Sequence, residues 1–212
     1  QLIDSLIGSA SAEVITFSAA NTTTIAALDS IVGTASTEIV TFSGNNTTTA
    51  SLIDSLIGTS ASEAVTFSGN TTTTTGGIDT LVGTASTDII TLTGANTVTV
   101  SLLDSIFGGA TADIVTFTAN NTTQVNSIET LVGSASAERV TLSAGGSVTV
   151  AGIDSLIGTA SNDVVTFSGA QTVTASLLDS MIGSASAELV TFSGDTTTTA
   201  ANIDTLVGTA ST

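Results

Sequence analysis

Apolar and polar positions alternate along this chain in short bursts, and the bursts recur. In Asp163-Val164-Val165-Thr166-Phe167-Ser168, one parity carries Val165 and Phe167 and the other carries Val164, Thr166 and Ser168. A period of two is the mark of a half-buried strand. Arg139 occupies the Val164 column one repeat earlier. That column therefore faces water, and Val165 and Phe167 point inward. By the same alternation, the valines of Thr97-Val98-Thr99-Val100 point inward and the threonines outward. Ile153 and Leu156 form a third inward set, with a bend at Asp154-Ser155 between them. No apolar stripe of helical period runs for ten residues, and Ser, Thr and Gly punctuate every unit.

Like residues recur at a constant step of 25 along the chain. One column of acids runs Asp4, Asp29, Asp54, Asp79, Asp104, Glu129, Asp154, Asp179 and Asp204. A second runs Glu13, Glu38, Glu63, Asp88, Asp113, Glu138, Asp163 and Glu188. A large apolar column runs Phe17, Phe42, Phe67, Leu92, Phe117, Leu142, Phe167 and Phe192. No repeat carries an insertion or deletion, as expected where each rung must keep register with its neighbours. The pattern predicts an all-β fold: a parallel β-solenoid, right-handed by the crossover rule. Residues 1–212 form a single array of about eight and a half 25-residue rungs, with three short strands per rung. Corners are expected near Asp154-Ser155, from Gly158 to Asn162, and from Gly169 to Gln171. Rungs ~4.8 Å apart would make a rod about 40 Å long. Neither end departs from the consensus. The array is therefore expected to be uncapped, either a segment of a longer chain or a unit that pairs head to tail with other copies.

Composition narrows the function. The 212 residues hold 18 acids and one cation, Arg139, for a formal net charge of −17. A phosphate backbone would be repelled, so nucleic acid is not an expected partner. No apolar run approaches the ~20 residues of a transmembrane helix. Cys and His are absent, which removes disulfides, thiol nucleophiles and imidazole bases. Each acid recurs in every repeat, whereas an acid–base pair for catalysis is one asymmetric constellation. No enzyme activity is expected.

If repeats stack one per rung, identical carboxylates sit ~4.8 Å apart and repel by about 0.9 kcal/mol per pair even in water. Three things could relieve this: bound divalent cations, raised carboxyl pKa values, or side chains fanned outward and paired with backbone N–H groups. Calcium would combine carboxylates with turn carbonyls, and the Glu13-to-Glu188 column is the better candidate to hold it. Capping of local turns by the same acids is the other reading. Outward threonines, such as Thr22 with Thr24, Thr47 with Thr49 and Thr97 with Thr99, would form a flat array suited to ice. They would equally form an ordinary solvated β-face. Asn45, Asn70, Asn96, Asn121 and Gln171 are expected to stack at the third corner.

The segment Gly158-Thr159-Ala160-Ser161-Asn162-Asp163-Val164-Val165-Thr166 resembles the calcium-binding nonapeptide of RTX proteins, G-G-x-G-x-D-x-U-x. Thr159 and Ser161 stand where the family has glycines. The whole chain resembles the Thr/Ser/Ala/Gly-rich β-strand repeats of bacterial S-layer proteins and giant secreted adhesins. That resemblance implies export, an extracellular or cell-surface location, self-association into a filament, S-layer or adhesin stalk, and calcium as a candidate ligand.

Overall fold

The computed structural model describes residues 4–9, 12–34, 36–59, 61–85, 87–193 and 197–208. Every regular element among them is a β-strand. Each full repeat supplies three strands, as the alternation predicts. In the seventh repeat these are Ser155–Ile157, Asp163–Phe167 and Gln171–Ser176. The expected corner from Gly158 to Asn162 falls in a gap between strands, and the other two fall in gaps except for their last residues, Ser155 and Gln171, which open the next strand.

The strands are shared between two sheets, one of thirteen strands and one of twelve. Successive strands alternate between the sheets, and each pairs in parallel with the strand two places on. A turn of the solenoid therefore takes two strands, one from each sheet, while a sequence repeat supplies three. Ser5 lies beside Thr24, Asn21 beside Glu38, and Ile39 beside Ser55. The steps along the chain are thus 19, 17 and 16. Equivalent strands, Ser5–Ile7 and Ser55–Ile57, recur after three turns, so three turns consume two sequence repeats while the pairing drifts by two residues. The expectation of one 25-residue repeat per rung is corrected here: the coil is about 17 residues long. The cause is parity. Three strands per repeat laid alternately into two sheets return the same strand to the same sheet only after two repeats.

Two consequences follow. Thirteen strands in one sheet, ~4.8 Å apart, make the rod about 58 Å long rather than about 40 Å. Small-angle X-ray scattering should return the longer value. Second, like positions do not stack. In each sheet a three-residue strand is followed by a six-residue and then a five-residue strand, as in Ser5–Ile7, Asn21–Ala26 and Glu38–Phe42. Thr23, Val40, Leu56, Thr75 and Leu92 line up across five strands of one sheet.

Inward positions are occupied as alternation requires. Val165, Phe167, Ile153 and Leu156 are buried, as are Val98 and Val100, while Arg139 is exposed. The large apolar column is buried from Phe17 to Phe167, with Phe192 partly buried. It is not a continuous ladder, because its members come alternately from the two sheets. Each sits beside a different inward residue: Phe42 beside Ile25, Phe67 beside Ala50, and Phe117 beside Val100. Pairing a large side chain with a smaller one fills the space between the sheets without strain.

The corner preceding a short strand has a cost built into it wherever a residue other than glycine turns it. Leu52, Leu102 and Leu177 adopt left-handed backbone there, with φ of 54°, 55° and 56°. Their side chains are at least half exposed. A Cβ in that conformation costs roughly 1–2 kcal/mol, and with half of each side chain exposed, burial offsets only part of it. Gly77 and Gly152 hold the same column with φ of 70° and 64°. Leu52→Gly is expected to raise stability by about 1 kcal/mol, the relief being partly offset by glycine's freer unfolded chain. A denaturant midpoint would read the change.

Candidate functional site

The two acid columns have different environments. Asp29, Asp54, Asp79, Asp104, Glu129, Asp154, Asp179 and Asp204, with Asp4, are exposed at the corners. Glu38, Glu63, Asp88, Asp113, Glu138, Asp163 and Glu188 are buried to within 1% of completely, and Glu13 is half-buried. The cause is the alternation already seen in Asp163–Phe167. The acid is the first inward residue of that strand, two places before Val165 and four before Phe167. From the sequence this acid is expected to follow the turn and either cap it or hold calcium; its burial is not expected there, although strand parity carries the signal.

The expected ladders of identical carboxylates are not formed. Asp79 leads into a strand of one sheet and Asp104 into a strand of the other, so successive members of a column sit at alternate edges. What meets instead is one acid from each column, at a separation of 16 along the chain. Asp29 accepts the Glu13 N–H at 3.0 Å, Asp54 that of Glu38 at 2.9 Å, and Asp104 that of Asp88 at 2.8 Å. Glu129, Asp154, Asp179 and Asp204 do the same for Asp113, Glu138, Asp163 and Glu188. The exposed column thus caps the neighbouring turn. Pairing with backbone N–H is one of the three ways of relieving repulsion read from the sequence.

Each buried acid closes its own turn. The Thr84 N–H donates to Asp88 Oδ2 at 2.8 Å, and the Thr59 N–H to Glu63 Oε1 at 3.1 Å. Asp and Glu therefore reach the same N–H four residues back. Where that residue bears a hydroxyl it often donates as well, as Thr59 Oγ1 does to Glu63 at 2.6 Å. Ser184 Oγ and Ser9 Oγ make the same contact to Glu188 and Glu13. The glycine opening the turn permits this closeness. A Cβ on Gly83 would lie 2.0 Å from the Leu102 carbonyl oxygen and 2.8 Å from Asp88 Oδ2.

The second oxygen of most of these acids has no partner. Oε2 of Glu38, Glu63, Glu138 and Glu188, and Oδ1 of Asp88 and Asp163, are buried without a hydrogen bond. Asp113 is the contrasting case. The Asn96 backbone N–H and Nδ2 both donate to its Oδ1 at 3.0 Å, and the Gly109 N–H donates to Oδ2 at 2.9 Å. Threonine and glycine replace that asparagine beside Asp88 and Asp163.

Burial pushes the Asp88 carboxyl above its ordinary value of 3.8, the Thr84 N–H bond to Oδ2 opposes the rise, and the Asp104 charge adds to it. A raised value means the folded state holds the proton more tightly than the unfolded chain does. Asp88 therefore favours folding most at pH below 3.8, and that advantage is lost as pH rises through its folded value. Asp88→Asn should match the parent's melting temperature in acid and exceed it at neutral pH. Asp113→Asn should lower stability at neutral pH by about 1–3 kcal/mol, because an amide NH2 would be set against donors and a charge-assisted acceptor lost. Thermal melts of both variants from acid to neutral pH check the contrast.

The outward threonines do not form the stacked array expected of them. Thr72 with Thr74 and Thr172 with Thr174 lie in strands of one sheet, Thr47 with Thr49 and Thr97 with Thr99 in strands of the other. Within a sheet such pairs recur every third strand. Thr22 is followed across its sheet by Ile39 and Ser55. The corner asparagines likewise do not stack as one ladder. Asn46, Asn96 and Asn121 turn their carbonyls to the N–H groups of Ala27, Gly77 and Leu102, whereas Asn45 and Asn70 are exposed.

Clefts along the rod are shallow. One is lined by Asn126, Glu129, Leu142 and Gly146, with Glu129 its sole ionisable group. Among the described residues no three acids converge as a metal-binding cluster, and no helix is long and apolar enough to cross a membrane. No protein-family model, curated protein or solved structure matches this chain.

Proposed function

We propose that this chain is a structural element: a stiff rod of an extracellular filament, S-layer or adhesin stalk, extended by the stacking that holds its own turns together. The observation that carries this reading is the unbroken parallel register of both sheets from one end of the described chain to the other. Each turn touches only its neighbours, so length is added without redesign of any contact. Outward sheet positions carry mostly hydroxyl, amide or aliphatic groups, with Arg139 and Phe107 among the exceptions, and the exposed carboxylates are at the corners. Such a surface offers no catalytic constellation, and no catalytic role is proposed. Negative-stain microscopy of purified native material, with antibody labelling of intact cells, tests the proposal. Rods or filaments and surface label support it; compact particles confined to the cell interior would end it.

A second reading, an RTX-like module stabilised by calcium, is favoured by the buried carboxylate oxygens left without partners. A cation is one way to satisfy them. Calorimetric titration after chelation should then give heat and a rise in melting temperature; a flat titration removes this reading and leaves the structural one intact.

A further inference from the structure

Six asparagines stand in the sequence Asn-x-Thr: Asn21, Asn45, Asn46, Asn70, Asn120 and Asn121. This tripeptide is the acceptor signal for N-linked sugar, which needs an accessible amide nitrogen and the hydroxyl two residues on. Strand alternation places an asparagine and the threonine two positions later on the same side. Three of the tripeptides fall inward. Asn46 and Asn121 are buried, Asn21 is half-buried, and their threonines, Thr48, Thr123 and Thr23, are all buried. The other three fall outward: Asn45 with Thr47, Asn70 with Thr72, and Asn120 with Thr122 are all exposed.

The outward asparagines are also held in a suitable pose. Each lies at the corner immediately before a six-residue strand. Each carbonyl is engaged by the next turn: the Ser62 N–H donates to Asn45 Oδ1 at 3.1 Å, the Thr87 N–H to Asn70 Oδ1 at 3.1 Å, and the Ala137 N–H to Asn120 Oδ1 at 3.0 Å. The amide is thereby oriented through its oxygen, and none of these bonds uses its nitrogen. N-glycosylation leaves that carbonyl in place, so the corner bond survives modification.

We propose that Asn45, Asn70 and Asn120 are acceptor sites for N-linked sugar on the folded rod, and that the fold withholds Asn21, Asn46 and Asn121. The donor class is a hexose activated as a nucleoside diphosphate ester. In the transfer, Nδ2 loses one proton to a base of the transferase and bonds to the anomeric carbon. The bond from that carbon to the diphosphate oxygen breaks, and nucleoside diphosphate leaves. Nothing is oxidised or reduced. The inference does not depend on the structural role proposed above, since it rests on accessibility in the folded chain.

The test incubates the folded 212-residue chain with a soluble Asn-x-Thr-specific transferase and a nucleotide-activated hexose. Sites are mapped by mass spectrometry after cleavage at acidic residues. A free peptide spanning residues 41–50, which holds Asn45 and Asn46, is the positive control for the transferase. The expected result is one hexose at each of Asn45, Asn70 and Asn120. Thr47→Val, which spares the Asn45 carbonyl contact, should abolish modification at Asn45 alone. Asn46→Gln should leave all three sites occupied. A folded chain left unmodified while the peptide is glycosylated overturns the proposal. So does modification of Asn46 and Asn121 to the same extent as Asn45 and Asn120.

Discussion

Gly83→Ala is expected to destabilise the rod by about 3 kcal/mol or more, the upper end of what overpacking costs in a confined site. The added Cβ would meet the Leu102 carbonyl oxygen at 2.0 Å and Asp88 Oδ2 at 2.8 Å. Neither can yield cheaply. The carbonyl belongs to the corner of the next turn, so backbone must move, and the carboxylate is fixed by the Thr84 N–H. Gly94→Ala is the control. Gly94 has a φ of 76° and nothing within 4 Å of a built Cβ. Its cost should be only the left-handed backbone penalty of roughly 1–2 kcal/mol. Equal losses in chemical denaturation would mean that the turns are not packed glycine against carbonyl.

Phe67→Ala should cost about 3–5 kcal/mol, lowering the melting temperature by roughly 10 °C for a chain of this size. Phe67 is 1% exposed and lies beside Ala50 across the sheet. The neighbour is already small, so nothing adjacent can fill the void. Phe67→Leu should cost under about 1.5 kcal/mol, because Leu92 and Leu142 hold the same column in other repeats and are buried there. If the alanine variant melted with the parent, the inward assignment of this column would fail.

The strands, their inward faces and their corners are legible in the sequence because each is a local property. Parity within Asp163–Phe167 is written in five consecutive residues, and Gly169 marks its corner with a φ of 101°. The burial of Asp163 is equally legible from parity. What parity does not carry is the reason an inward carboxylate is tolerable there: the turn's own N–H group, that of Thr159, donates to it. The pairing of Asp88 with Asp104 is not legible. It depends on an offset of 16 along the chain, which no column of the 25-residue repeat displays.

The sequence by itself determined an all-β, parallel, insertion-free array and the side of each strand that meets the core, because period-two alternation acts through nearest neighbours along the chain. Only the tertiary structure decided how the strands are dealt out. Three strands per repeat close equally well, on paper, into a three-sided coil or alternate between two sheets. Packing two inner faces against each other selects the second. With it come the 17-residue turn, the unlike neighbours of every core residue and the meeting of the two acid columns.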